Sequence, residues 1–150
     1  MTEVIIKDTI EGSPWKHMSD LFFKVGWGGR APTDIQAAFL KSSYVRFAYH
    51  GDTLVGFGRT VDDGIYYALV VDLVIDPEYQ GSGIGSRILA ELKDDLKGFL
   101  FTTLTAAPGK DGFYLKQGWC RQKTSFIWPR TNNQRDNHAA NVEQDGQPDA

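Results

Sequence analysis

The sequence predicts an α/β protein, a mixed sheet covered by helices, and three observations carry that reading. The chain has 150 residues, of which 41% are hydrophobic, 13% aromatic and 23% charged, enough to build one domain with a true core. Strand-forming segments alternate with apolar stripes at helical spacing, in the order strand, two helices, three strands, helix, strand, helix, strand. Turn signals join the three middle strands directly, whereas a whole helix separates the next pair, as a parallel connection requires.

Val4–Ile6 is short and β-branched, an edge-strand pattern. Ser13 and Pro14 suit the N-cap and first position of a helix. Trp15, Met18, Phe22 and Val25 then recur at spacings of 3, 4 and 3, a stripe fit to lie on a core. Gly26-Trp27-Gly28-Gly29 ends that helix. Thr33-Asp34-Ile35-Gln36 has capping-box form, so a second helix is expected to run to about Lys41. Strands at Tyr44–Tyr49 and Leu54–Val61 flank the turn His50-Gly51-Asp52, and Asp62-Asp63-Gly64 turns the chain into Tyr66–Ile75. That third strand is apolar on both faces apart from Asp72, which puts it in the middle of the sheet.

Ile84, Ile88, Leu89, Leu92 and Leu96 form the clearest helical stripe. Phe99–Thr105 follows as a strand, Gly109–Lys116 as a short helix closed by Gly118, and Ser125–Trp128 as a last strand. From Thr131 onward the only apolar residues are Ala139, Ala140, Val142 and Ala150. Residues 131–150 are therefore expected to be a flexible polar tail on a domain spanning 1–130.

Sixteen Lys+Arg against nineteen Asp+Glu leave a net charge of −3, which argues against a nucleic-acid partner. No apolar run approaches the roughly 20 residues of a membrane helix, and Met1–Lys7 lacks the basic and apolar regions of a secretory signal. The single cysteine, Cys120, excludes an intrachain disulfide and is expected to be a small buried side chain. His17, His50 and His138 show no ligand spacing, so no metal site is expected. These features point to the cytoplasm.

The chemistry concentrates in Asp76-Pro77-Glu78-Tyr79-Gln80-Gly81-Ser82-Gly83-Ile84-Gly85, between the third middle strand and the clearest helix. Glycines there let a backbone approach a ligand, and the helix that follows offers unpaired N–H groups to an anion, with a phosphate or pyrophosphate the natural guest. A nucleotide-hydrolase P-loop is excluded because no Lys follows Gly85, and the dinucleotide fingerprint because its third glycine comes one place early.

What the stretch does match is Gln/Arg-x-x-Gly-x-Gly/Ala, through Gln80, Gly83 and Gly85, after an apolar strand and a Pro-Glu-Tyr approach. Downstream, Phe113-Tyr114-Leu115-Lys116-Gln117-Gly118-Trp119 has the form aromatic-Tyr-x-x-x-Gly-aromatic. In this order the two segments resemble the GCN5-related N-acetyltransferase (GNAT) superfamily over residues 3–128.

The resemblance implies the GNAT acyl-CoA acyltransferase fold, α/β (α+β), with a mixed, mostly antiparallel sheet of about six to seven strands. It implies acetyl-CoA as cosubstrate and transfer to a primary amine by direct attack in a ternary complex. Leu73, Val74 and Ile75 would hold the pantetheine arm and acetyl carbonyl through their backbone. Gln80 and the N–H groups of Gly81, Ser82, Gly83, Ile84, Gly85 and Ser86 would receive the cofactor's phosphates. Tyr114 sits where many members place the acid that protonates the leaving thiolate. An asparagine common near the last helix is replaced here by Thr105-Ala106-Ala107-Pro108, so cofactor contact there must differ.

Two further residues belong to the expected site. A lone carboxylate in an apolar strand is costly unless paired, so Asp72 either bonds a backbone amide or neighbouring arginine, or faces the acceptor pocket and attracts a cationic amine. Trp27, in the glycine-rich loop, is placed for acceptor contact. The expected acceptor is a small primary amine of aromatic or polyamine type. Peptide or protein amines, and a non-catalytic CoA-binding or sensing module, are the alternatives. The resemblance also admits a homodimer.

Overall fold

In a computed structural model, which describes residues 3–140, the chain forms two compact units, one ending at Thr105 and one beginning at Ala106. The first holds a five-stranded sheet in the order β1 (Val4–Lys7), β2 (Val45–His50), β3 (Thr53–Asp62), β4 (Tyr67–Ile75) and β5 (Phe101–Leu104). Neighbouring strands are antiparallel except β4 and β5, which are parallel. The mixed, mostly antiparallel architecture is as expected, with fewer strands than the expected six to seven. β3, not β4, is the central strand. Asp63 makes the β3–β4 turn by accepting the N–H groups of Ile65, Tyr66 and Tyr67, the first of which does most to hold its carboxyl below the usual carboxylate range.

Helix α1 (Trp15–Lys24) and helix α2 (Pro32–Leu40) cover one sheet face. Met18, Leu21 and Phe22 of α1 and Ile35 and Phe39 of α2 bury against Val45, Phe47, Leu54, Phe57 and Val74. Trp15 and Val25, the outer members of the predicted stripe, pack at the margin of this core. Neither predicted cap forms. Pro14 is non-helical, so α1 begins at Trp15, and the Ser13 hydroxyl is buried without a partner among the described residues. Pro32 starts α2 with its preset φ, ahead of the Thr33 capping box, and Ala31 caps it without a side-chain bond.

Helix α3 (Ile84–Asp95) covers the other face. Side chains alternate along a strand, so Phe57 joins the α1–α2 core while Gly58 meets α3. A Cβ at Gly58 would stand 3.1 Å from both Ile88 and Leu92. Glycine here lets helix and sheet approach closely. Gly58→Val is expected to lower stability by about 1–3 kcal/mol through overpacking, read as an earlier thermal melt. Arg46 of β2 bonds Glu91 at 2.9 Å and Asp95 at 2.6 Å, tying the far half of α3 to the sheet.

The second unit contains helix α4 (Asp111–Lys116) and helix α5 (Asn132–His138). α4 starts two residues later than predicted. Ser125–Trp128 is not a strand: it has no ladder partner, and Phe126 and Trp128 are exposed. Apolar character alone cannot make a strand without a neighbour to bond. Cys120 is exposed rather than buried, in a stretch without regular structure. Where a flexible tail is predicted, α5 forms with every residue exposed. Thr131 accepts from the Gln134 N–H while the Gln134 side chain accepts from the Arg130 N–H, so caps rather than burial define it. The rest of the expected tail, 141–150, lies outside the described residues.

Candidate active site

The β3–β4 ladder breaks at one point. Phe57 pairs with Val74 and Arg59 with Val71, so Gly58 alone faces both Asp72 and Leu73. This is a β-bulge, and Asp72 takes φ +55° to form it, a left-handed conformation that aspartate tolerates better than most residues. Its carboxylate is buried between two guanidiniums, with Oδ1 at 2.9 Å from Arg30 Nη1 and Oδ2 at 2.7 Å from Arg59 Nε. Of the two readings open for Asp72, the neighbouring arginine is the one its contacts match. Both oxygens are already engaged.

The bulge re-aims Leu73, Val74 and Ile75, and the sheet opens beside them. β5 pairs with β4 only from Tyr67 to Val70. Beyond Val70, β4 has β3 on one side and no strand on the other among the described residues.

The turn after β4 is built by its own polar groups. Buried Asp76 donates its N–H to Val55 and accepts from the Glu78 N–H and from Lys24 Nζ at 3.2 Å. This caps a single 3₁₀ turn, Pro77–Tyr79. The Tyr79 hydroxyl lies 2.6 Å from His50 Nδ1, and Gln80 donates from Nε2 to the Ile75 carbonyl. Gln80 therefore braces the turn against β4.

Gly81 and Gly83 follow at φ +83° and +89°, with open space where a Cβ of either would stand. The Arg87 N–H bonds the Gly83 carbonyl at the head of α3. Among the described residues, the N–H groups of Gly81, Ser82, Gly83, Ile84 and Gly85 have no backbone acceptor. Five such donors at a helix N-terminus form an anion cradle. Ile84 takes part only through its backbone, since its side chain is buried; Ser86 lies in the first turn of α3.

A cavity of about 260 Å³ opens on the α1–α2 side. Phe22, Ile35, Ala38 and Phe39 supply its apolar wall. Gly29, Arg30, Asp34 and Asp72 complete it. Trp27, expected at the acceptor, does not line it; its ring centroid lies 5.8 Å from that of Phe22 and 5.5 Å from the Arg30 guanidinium. Arg30 and Arg59 were not singled out from the sequence, although a buried aspartate demands a cation. In the sequence, Asp34 stands out only as part of the Thr33 capping box.

Tyr114 lies in the second unit, on α4, with its ring edge-on to Phe113 at 5.0 Å. Burial pushes its phenol above the ordinary value near 10, so it holds its proton at neutral pH. Its carbonyl accepts the Trp119 N–H past the turn at Gly118, and Arg121 pairs with Asp111 across the same segment.

A bulged strand running into a glycine cradle, with an open edge beside it, is the arrangement that the resemblance to acyltransferases implies. The family sequence model described as an acetyltransferase (GNAT) domain matches residues 41–121, and the chain belongs to that family of N-acetyltransferases. It is 29% identical over 119 residues to GCN5-related N-acetyltransferase 1, chloroplastic, of Arabidopsis thaliana, covering 77% of this chain and 60% of that protein. It is 31% identical over 108 residues to serotonin N-acetyltransferase 2, chloroplastic, of Oryza sativa, covering 68% and 54%. Among solved structures, a GNAT-family acetyltransferase of Streptococcus pneumoniae superposes with TM-score 0.70 at 30% identity, covering 85% and 98%. The chain thus spans a little over half the length of these curated plant relatives. Among the described residues no helix is long and apolar enough to cross a membrane.

Proposed function

We propose that this chain transfers the acetyl group of acetyl-CoA to a small primary amine by direct attack in a ternary complex. The observation that carries the reading is the N–H cradle at residues 81–85, directly after the bulged β4. The cradle fits a pyrophosphate because it offers donors and leaves open space at both glycine Cβ positions. Gly81, Ser82, Gly83, Ile84, Gly85 and Ser86 would hold the phosphates, with Gln80 fixing the turn. The open edge of Leu73–Ile75 would align the acyl-bearing arm, and a main-chain N–H there would support charge developing on the carbonyl oxygen. When bound, acetyl-CoA supplies the activated thioester. Tyr114 would give its phenolic proton to the departing thiolate.

An alkylammonium with pKa about 10.4 must lose its proton first, at a cost of about 4–5 kcal/mol at neutral pH. Asp72, committed to Arg30 and Arg59, is a poor acceptor for it. The proton leaves through water, and Asp72 contributes by fixing the bulge and the arginines around it. Trp27 supports the acceptor side through Phe22 and Arg30. The cytoplasm is the proposed location and a homodimer the proposed assembly, although the two plant relatives are named chloroplastic.

The test is thiol release from acetyl-CoA across a panel of small amines, peptides and lysine-rich protein. Release with small amines supports the reading, and release only with peptides or protein moves the acceptor class. Saturable cofactor binding without release from any acceptor would make the chain a CoA-binding module. Gly83→Val is expected to raise the acetyl-CoA dissociation constant at least about tenfold, because a branched side chain at φ +89° both strains the turn and enters the cradle. Unchanged affinity in a calorimetric titration would remove the cradle from the cofactor site.

A further inference from the structure

Asp72 was the carboxylate expected to attract a cationic acceptor, yet both of its oxygens are occupied by guanidiniums. The same cavity has a second carboxylate. Asp34, in the first turn of α2, lines it, is exposed, and its side chain has neither ion pair nor hydrogen bond among the described residues. Arg30 lines the cavity too, paired with Asp72 beside Leu73 of β4. Asp34 is therefore the carboxylate of this lining that no cation neutralises among the described residues.

We propose that Asp34 anchors a second, non-reacting ammonium of the acceptor, so that the preferred acceptors are α,ω-diamines and longer polyamines. This rests on the acetyl-transfer reading above. The nucleophilic nitrogen must be neutral to attack, and Asp72, already committed to Arg30 and Arg59, gives its charged form little support. The distal nitrogen must be held, and a free carboxylate favours its charged form. An acceptor with two amines supplies one nitrogen for each role. The apolar lining of Phe22, Ile35, Ala38 and Phe39 suits a methylene chain between them better than an aromatic ring. Phe22 has Arg30 4.3 Å over its ring and Phe39 has Arg59 at 5.6 Å, and each also packs against another ring of the core, Phe57 and Phe47 respectively. An aromatic guest has little open face to stack on.

Asp34 also faces the positive end of the α2 dipole, a role that needs no ligand. The experiment separates the two. Thiol release is measured with diaminobutane against butylamine and diaminohexane against hexylamine, for wild type and Asp34→Asn. The wild type is expected to favour each diamine by about tenfold in kcat/KM, the size of one charge-assisted contact, and the variant to bring that ratio close to one. A purely helical role would lower both substrates alike and leave the ratio intact, which overturns the anchor, as does a wild type indifferent to the second amine. Should none of these amines be turned over, the small-amine reading falls. Calorimetric titration of diaminobutane then decides the anchor separately: binding by wild type and not by Asp34→Asn supports it, and no binding overturns it.

Discussion

Tyr114→Phe is expected to lower kcat by about 10²–10⁴-fold, the usual share of a positioned general acid, while leaving the acetyl-CoA KM near that of wild type. The substitution removes one oxygen and keeps the ring beside Phe113, so packing changes little. The pH profile gives the sharper readout. A general acid works while protonated, so activity falls as pH rises through its pKa. Burial holds that phenol above about 10, which puts the descending limb above pH 10. The ascending limb reflects the amine losing its proton. In the Phe variant the ascending limb stays and the descending one disappears. Equal turnover by variant and wild type would transfer the proton donor's role elsewhere and leave the family assignment standing.

Asp72→Ala has the largest expected effect on stability. Breaking a buried ion pair from one side costs about 3–5 kcal/mol, because the other charge stays desolvated. Arg59 is the partner left stranded, its side chain only 16% exposed, whereas Arg30 at 40% can turn to water. The lower end, about 3 kcal/mol, is therefore expected for the charge alone. Alanine at φ +55° adds about 1–2 kcal/mol, since its Cβ is poorly accommodated in the left-handed region. Asp72→Asn keeps a side chain tolerant of that backbone and should recover this second part only. Urea titrations of both variants measure the difference. A loss below about 1 kcal/mol in each would mean that solvent screens both pairs and that other contacts hold the bulge.

Much of the fold was legible because local pattern and tertiary demand agree. The stripe Met18–Phe22 and the run Ile84–Leu96 bury as their spacing predicts, and the glycine turn sits between strand and helix as its motif requires. Errors fell where a local signal competed with another. Ser13 and Thr33 are good caps, but each lies beside a proline that sets where its helix begins. Ser125–Trp128 looks like a strand in isolation, yet pairing is a property of two segments. The site was half readable. The cradle residues are contiguous in sequence, whereas the arginines around Asp72 come from 42 and 13 positions away. Chain order gives no hint that Gly28 and Gly29, both at positive φ, deliver Arg30 to a strand bulge.

Arg46 clamps the distal half of α3 by two ionic contacts, while the glycine turn occupies the opposite tip. The helix is thus an axle seized at one end, unable to roll on the sheet as a guest arrives at the other. Donors at the tip are aimed in advance, so docking forfeits little freedom of motion. On the proposed reading, the grip on a distant anion would be underwritten in this way by two carboxylates that never touch it, and loosening Arg46 should be felt there as a faster departure.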